Sequence, residues 1–437
     1  MSRSVRWFAG IAVAGLAIGS AASAQAPATT QITPLTLQAA LQQARANSHL
    51  FRAADTAAQQ AAEDRRQARA ALLPSVSEFS QYIHTTPNDT PTGAFVSNNG
   101  PNVYSTWLTV HGELFSPGKW AEYRSAGAAE AVARAKADIA ARGLVLTVVQ
   151  NFYTLVAAER KAVSAGQSLR EAQQFLDITQ KQERGGEVAH SDVVKAQIQV
   201  SQRIRDAQDA DLTVLKSRLG LSVLVFPDFR DTFAVADDLQ EVAPLPLLAG
   251  VTEAATAGPE VKAAEASVQV GLFDVEVARG ALLPSISFDY FYGINANQFA
   301  ITGPDGQRLL GSVAQAQLMV PLWNWGAAQS RKRQAELRLR QARAELTLTG
   351  RQLLANVKGF HREAGVARDQ VASLRDSLDL STESLRLTLL RYQSGEASAL
   401  EVVDAQTTLI QARNAYDDGL VRYRVALATL QTLTGTL

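Results

Sequence analysis

The chain carries the same plan twice. Ala71-Leu72-Leu73-Pro74-Ser75-Val76-Ser77 returns about 210 residues later as Ala281-Leu282-Leu283-Pro284-Ser285-Ile286-Ser287. Leu114-Phe115-Ser116-Pro117-Gly118 has its counterpart in Leu322-Trp323-Asn324-Trp325-Gly326. Gly186-Glu187, with Ser191-Asp192-Val193-Val194-Lys195-Ala196-Gln197, has its counterpart in Gly395-Glu396, with Leu400-Glu401-Val402-Val403-Asp404-Ala405-Gln406. Three anchors in one order mark residues 34–220 and 249–430 as two copies of one unit. A period this long is a duplicated half of a fold rather than a solenoid repeat.

Each half reads as helix, two strands, long helix, shorter helix. The first helix is expected from Thr36, a suitable N-cap, to about Ala71, because Pro74 restricts its predecessor and donates no hydrogen bond. The segment after Pro284 alternates: Ile286, Phe288, Tyr290 and Tyr292 share one face, and Ser285, Ser287, Asp289 and Phe291 the other. The return strand places Ala314, Ala316, Leu318 and Val320 opposite Gln315 and Gln317. This is the period-two pattern of strands with one apolar and one polar face. The first half is noisier. Val76 and Tyr82 fit, as do Tyr104, Leu108 and Val110, but Glu78 stands where Phe288 stands. Turn clusters separate the paired strands, at 85–91 and 97–101 in one half and 302–306 in the other.

Between Gly118 and Arg184, and again between Gly326 and Ser394, there is no proline. A run of about 67 residues makes about 100 Å of helix. Val145, Val149, Phe152 and Val156, and likewise Val371, Leu374, Leu378, Leu385 and Leu389, step by threes and fours in the manner of a coiled-coil seam. The two shorter helices of a half, placed end to end, match one long helix. Gly185, Gly186 and Gly395 then mark tight turns at one end, and the strands stand at the other. The expected organisation is a signal segment at 1–24, a first repeat at 25–226, a joining segment at 227–248 and a second repeat at 249–437. Strands are expected near 75–84, 103–115, 285–294 and 312–321, and long helices near 118–184 and 326–394.

Arg3 and Arg6, an apolar run from Trp7 to Gly19, and Ala22-Ser23-Ala24 read as a secretory signal peptide. Its core is shorter than the roughly 20 residues of a spanning helix, and no later run of 18 apolar residues occurs. The chain has no cysteine. That excludes disulfides, thiol catalysis, thiolate metal sites and N-terminal lipidation through cysteine. Lys plus Arg equals Asp plus Glu, at 42 each, which argues against a nucleic-acid partner. The five histidines form no metal-binding motif. Neither a Gly-x-Ser-x-Gly elbow nor a phosphate-binding glycine loop is present. No catalytic residue, metal or cofactor is therefore expected. Only two methionines occur, which argues against a methionine-lined soft-metal route.

Four amphipathic strands leave open edges, and a barrel removes edges. Strands of about ten residues with one lipid-like face suit an outer-membrane barrel, but four are too few to close one. The sequence itself then calls for several copies.

The duplicated plan, the Leu-Leu-Pro-Ser strand starts and, above all, Arg391-Tyr392-Gln393-Ser394-Gly395 with Glu401-Val402-Val403-Asp404-Ala405-Gln406 resemble the TolC family of outer-membrane efflux proteins. The likeness covers essentially the whole mature chain. It implies a mainly α fold with a β-barrel portion. In the family a homotrimer forms a twelve-stranded barrel in the outer-membrane lipid, continued by a periplasmic α-helical barrel. It also implies a periplasmic adaptor (membrane fusion) protein and an inner-membrane RND, MFS or ABC transporter. The expected function is a passive exit duct for efflux or type I secretion. Where the family commonly has Asp-Val-Leu at the turn, this chain has Glu401-Val402-Val403, and Lys195 in the first copy answers Asp404 in the second.

By this resemblance Arg184, Gly185, Gly186, Glu187 and Asp192, with Arg391, Ser394, Gly395, Glu396 and Glu401, form the tip turns that meet the adaptor. Asp369, Arg375, Asp376 and Asp379 are candidates for a charged periplasmic gate, since symmetry would repeat them as a ring. Arg375 and Asp379 are alternatively an i,i+4 pair on a solvated helix. Phe288, Tyr290 and Tyr292 are candidate membrane-facing aromatics. Two other classes stay open on the residues alone. A soluble periplasmic coiled-coil scaffold or adaptor would lack the amphipathic strands, and a periplasmic enzyme would need a convergent polar pocket.

Overall fold

A computed structural model describes residues 34–85, 101–230, 232–239 and 243–436. The signal segment and the first-half turn clusters at 86–100 lie outside the described residues. The elements run in the order α1 (Leu37–Asn47), α2 (His49–Ala70), β1 (Ser75–His84), β2 (Asn102–Phe115), α3 (Pro117–Gly185), α4 (His190–Val225), α5 (Leu248–Thr256), α6 (Pro259–Gly280), β3 (Ser285–Ala296), β4 (Leu310–Met319), α7 (Ala327–Gln393) and α8 (Ala399–Thr434).

Each half opens with two helices where one was expected. Ser48 ends α1, its N–H bonding Ala44 O, and starts α2, its hydroxyl accepting the Phe51 N–H at 3.3 Å. A serine that caps its own backbone interrupts a helix whose flanks are both good helix formers. In the second half the break falls at Gly258, directly before Pro259 at the first position of α6. β4 begins and ends two residues ahead of the expected 312–321. It stops short of Pro321, which has no N–H to give a ladder.

The four strands form one antiparallel sheet in the order β1-β2-β3-β4, with β1 and β4 at its edges. Register fixes what shares a face. Leu108 pairs with Tyr292, Val110 with Tyr290 and Gly112 with Phe288. Ala314 faces Tyr290, Ala316 faces Phe288 and Leu318 faces Ile286. These make a largely apolar face. The opposite face carries Ser77 beside Thr109, His111 beside Asp289, and Asp289 beside Gln315. A bulge at Glu113/Phe115 ends the β2 ladder where the chain turns into α3.

The long helices α3 and α7 run alongside the shorter ones. Gly280 and Gly118 let α6 and α3 meet backbone to backbone: a Cβ on Gly280 would stand 2.6 Å from Gly118 Cα. The principal core lies part-way along the shaft. There Val148, Val149, Phe152 and Leu155 of α3 pack with Leu221 and Val225 of α4, Val357 of α7 and Leu420, Tyr423 and Leu430 of α8. This stretch makes α3 apolar enough, by length and composition, to cross a membrane. One face of it, with Val148, Val149, Phe152 and Leu155, is buried in the helical shaft, while Thr147, Gln150 and Thr154 are exposed.

The joining segment is bound to this core. Leu35 and Val235 form a parallel bridge. Arg160 Nη2 donates to Asp237 Oδ1 at 2.7 Å, and its Nη1 donates to Asp417 Oδ1 at 3.3 Å. Tyr153 donates to Asp238 Oδ2 at 3.3 Å. Burial pushes the Asp417 carboxyl above its ordinary value, although Arg160 and Lys161 pull the other way. Arg160 spends its fork on Asp237, so its hold on Asp417 is the weaker one.

Candidate functional site

The far end of the shaft is built from two helix hairpins. α3 ends on Gly186, at φ 77°, with the Gly186 N–H bonding Glu183 O and the Glu187 N–H bonding Gln182 O, both at 2.9 Å. α7 ends through Ser394 and Gly395, also at φ 77°, with the Glu396 N–H on Arg391 O at 2.8 Å. Left-handed backbone of this kind costs glycine little, because it has no Cβ to meet the following carbonyl.

The turns differ in how the next helix starts. α4 opens at Ala189 with no side-chain cap, and only Asp192 supplies negative charge in its first turn. α8 opens with a full capping box: the Glu401 N–H reaches Ser398 Oγ at 3.3 Å, and the Ser398 N–H reaches Glu401 Oε1 at 3.0 Å. Arg391 closes this second turn from above, with Nη2 on Glu396 O at 3.1 Å and Nη1 3.5 Å from Glu401 Oε2. The Ser398 backbone N–H and hydroxyl hold the Glu401 carboxyl below its ordinary value, and Arg391 adds to this. In the first turn His190 Nδ1 lies 2.6 Å from Glu183 Oε1, and Lys195 reaches Asp192 at 3.0 Å.

The two hairpins touch through a small core of Phe175, Ala196, Tyr392, Ala399 and Val402. Phe175 and Tyr392 rings lie 5.1 Å apart, and the Tyr392 hydroxyl donates to Thr179 Oγ1 at 3.2 Å. Gln182 Nε2 donates to Tyr392 O at 3.4 Å. Burial pushes the Tyr392 hydroxyl's pKa up, and Asp192 adds to it. In the sequence Tyr392 belongs to the turn motif but carries no role of its own. The available signal was a bulky aromatic three residues before a turn glycine, where an exposed loop would have no use for one.

Of the residues read as tip turns, Arg184, Gly185, Gly186, Glu187, Arg391, Ser394, Gly395, Glu396 and Glu401 are at this end, most of them exposed, and Asp192 is half-buried. The gate candidates are not at this end. Asp369, Arg375, Asp376 and Asp379 lie along α7 about 20 to 35 Å short of its turn. All four are exposed; Asp369 pairs with Arg368 at 3.0 Å, and no ion pair joins Arg375 to Asp379 among the described residues. At the opposite end of the molecule Tyr290 and Tyr292 are exposed and Phe288 is half-buried, all on the apolar face of the sheet. Among the described residues no cluster of His, Asp and Glu is arranged to hold a metal ion.

The sequence model of the outer membrane efflux protein family matches residues 40–225 and again residues 251–436, one match for each half. The chain belongs to the outer membrane efflux protein family. It is similar to the pyoverdine export outer membrane protein OpmQ of Pseudomonas aeruginosa, with 26% identity over 419 residues, 91% of this chain and 83% of that protein. It is also similar to the outer membrane protein TolC of Vibrio cholerae, with 22% identity over 383 residues, 84% of this chain and 83% of that one. Among solved structures, the CmeC outer membrane channel of Campylobacter jejuni shares the fold, at a TM-score of 0.81 and 17% identity over 91% of this chain and 85% of that one. As a family member, the chain is an outer-membrane channel for efflux or secretion and not an enzyme, and its helical shaft stands in the periplasm.

Proposed function

We propose that three copies of this chain close a twelve-stranded barrel in the outer membrane and continue it as a periplasmic helical duct. The observation that carries this is the sheet: four strands in sequence order with β1 and β4 both at open edges, joined to helices of 69 and 67 residues. An open edge in lipid leaves backbone groups unpaired, so only closure is stable there. The apolar face, with Phe288, Tyr290 and Tyr292, then meets lipid. Trp323 and Trp325, 76% and 89% exposed at the foot of β4, suit the membrane–water boundary.

The duct is passive. The chain has no nucleotide-binding motif, so an inner-membrane transporter supplies the energy and a periplasmic adaptor joins it to the tip. The tip turns from Arg184 to Asp192 and from Arg391 to Glu401 are the adaptor surface in this reading. They offer two unlike grooves, because one is closed by a capping box and an arginine and the other is not. Asp369, Arg375, Asp376 and Asp379 line the shaft above, as a charged stretch of the route rather than its end. Likeness to a protein named for pyoverdine export, over nine-tenths of this chain, supports small-molecule cargo.

The cysteine-free chain makes the assembly directly testable. Single cysteines in β1 (Ser77→Cys, Gln81→Cys) are combined with single cysteines on the same face of β4 (Gln315→Cys, Gln317→Cys) and oxidised in membranes. Covalent trimers in at least one combination are expected. Monomers throughout the scan would contradict closure through these edges.

A further inference from the structure

The polar face of the sheet is not polar throughout. Phe79 stacks on Trp107 across the β1–β2 pair, with ring centroids 5.1 Å apart. Trp107 meets Phe291 edge-on at 6.4 Å. Gly293 pairs with Trp107 and lets the two strand backbones approach closely: an added Cβ would stand 2.4 Å from Trp107 Cα. Gly293 faces Gly311 on β4. Two glycines side by side leave a gap in the side-chain layer. The result is a recess of about 440 Å³, with Trp107, Phe291 and Val313 among its walls. Ligand pockets for drug-sized molecules begin at about 300 Å³.

Charge is placed beside it. Two residues along β3 from Phe291, on the same face, Asp289 accepts from His111 and, at 3.4 Å, from Gln315. Glu113 next to them takes Lys119 at 2.7 Å. With histidine counted as neutral, this group carries one net negative charge per copy. Arg308, on the adjoining loop, is exposed and is not part of the recess wall.

We infer that this recess is a transit site for flat aromatic organic cations on the inner wall of the barrel. The inference rests on the channel reading above, in which the face bearing Ser77, Thr109, Asp289 and Gln315 looks into the water-filled interior. Aromatic residues have no lipid to meet on that side. Ring faces attract cations and stack on flat π-systems, and the nearby carboxylate adds attraction for the same sign of charge. In a trimer the site occurs three times around one opening, so each ion has repeated weak contacts as it leaves.

The test is block of ionic current through the wild-type trimer in a planar bilayer. Ethidium is the flat cation, and 1-pyrenesulfonate the flat anion of comparable size. Ethidium is expected to reduce conductance at concentrations at least about tenfold lower than pyrenesulfonate. Trp107→Leu and Phe291→Leu should each raise the half-blocking ethidium concentration about fivefold. Trp107→Phe should retain most of the block, and Tyr290→Leu on the lipid side should leave it unchanged. Assembly of each variant is read from its heat-labile trimer on unboiled gels. If Trp107→Leu fails to assemble, Phe291→Leu and Asp289→Asn carry the comparison. Equal block of wild type and every assembled recess variant, or equal block by the two probes, would overturn the inference while leaving the channel intact. A wild-type protein with no conductance would refute the channel reading and the inference with it.

Discussion

The Tyr392 hydroxyl donates to Thr179 Oγ1 at 3.2 Å, tying the end of α7 to the end of α3 inside a buried contact between the two tip hairpins. Thr179 in turn donates to Phe175 O within its own helix. Tyr392→Phe keeps the ring packing and removes one hydrogen bond, so the hairpin contact should weaken by about 1 kcal/mol. Faster amide exchange at 175–179 and 389–396, with the shaft core unchanged, is the expected result. Unchanged exchange at the tip would show that ring packing alone joins the hairpins.

Gly186 and Gly395 both sit at φ 77°, and a Cβ added at either would have nothing within 4 Å. Alanine therefore meets no neighbour there, and its cost is backbone strain alone, about 1 kcal/mol at each turn. Asparagine, which tolerates the left-handed region better, should cost less. Thermal melts of Gly186→Ala and Gly395→Ala beside the asparagine variants check this order.

The capping box predicts an acid-sensitive tip. Glu401 is held below its ordinary value of 4.5, chiefly by the Ser398 N–H and hydroxyl. A carboxylate lowered in the folded state contributes its stabilisation above the unfolded value and loses it as pH falls through the lowered one. Protection factors of the amides at 398–403, corrected for the intrinsic exchange rate at each pH, should fall below about pH 4.5. In Glu401→Gln this dependence should flatten, because glutamine cannot titrate. An equal acid response in the variant would assign the effect to another group.

Arg160 holds the joining segment to the shaft through Asp237 while facing the half-buried Asp417. Arg160→Ala leaves both carboxylates without it and should cost about 1 to 3 kcal/mol. Limited proteolysis within 227–248 should become faster. Arg160→Lys should restore only part of the protection, since an ammonium lacks the planar fork that takes Asp237 in two bonds.

How far the residues alone foretold this molecule depends on how local each signal is. The Leu-Leu-Pro-Ser repeats and the strict alternation from Ser285 to Tyr292 are written into short segments, and mainly helical architecture with a small sheet followed from them. The break at Ser48 was not legible, because a serine inside a strong helical run reads as neutral until its hydroxyl is seen to cap the next turn. Tyr392 was missed as the tie between hairpins because its partners Phe175 and Thr179 lie over 200 residues away. The aromatic recess was hidden for a similar reason. Phe291 was placed on the second face with Ser285, Ser287 and Asp289 and given no role there, and only cross-strand register brings it to Trp107, which stacks on Phe79. The gate candidates along α7 were chosen by charge, and their distance from the tip comes from where the helix ends.

A trimeric duct in the outer membrane differs from a free chain in size and in compartment. The most direct measurement is the size of the protein extracted from outer membranes in mild detergent, compared before and after boiling. A species of three chains that collapses to one on heating is expected. A soluble periplasmic monomer, absent from the outer-membrane fraction and unchanged by boiling, would contradict it.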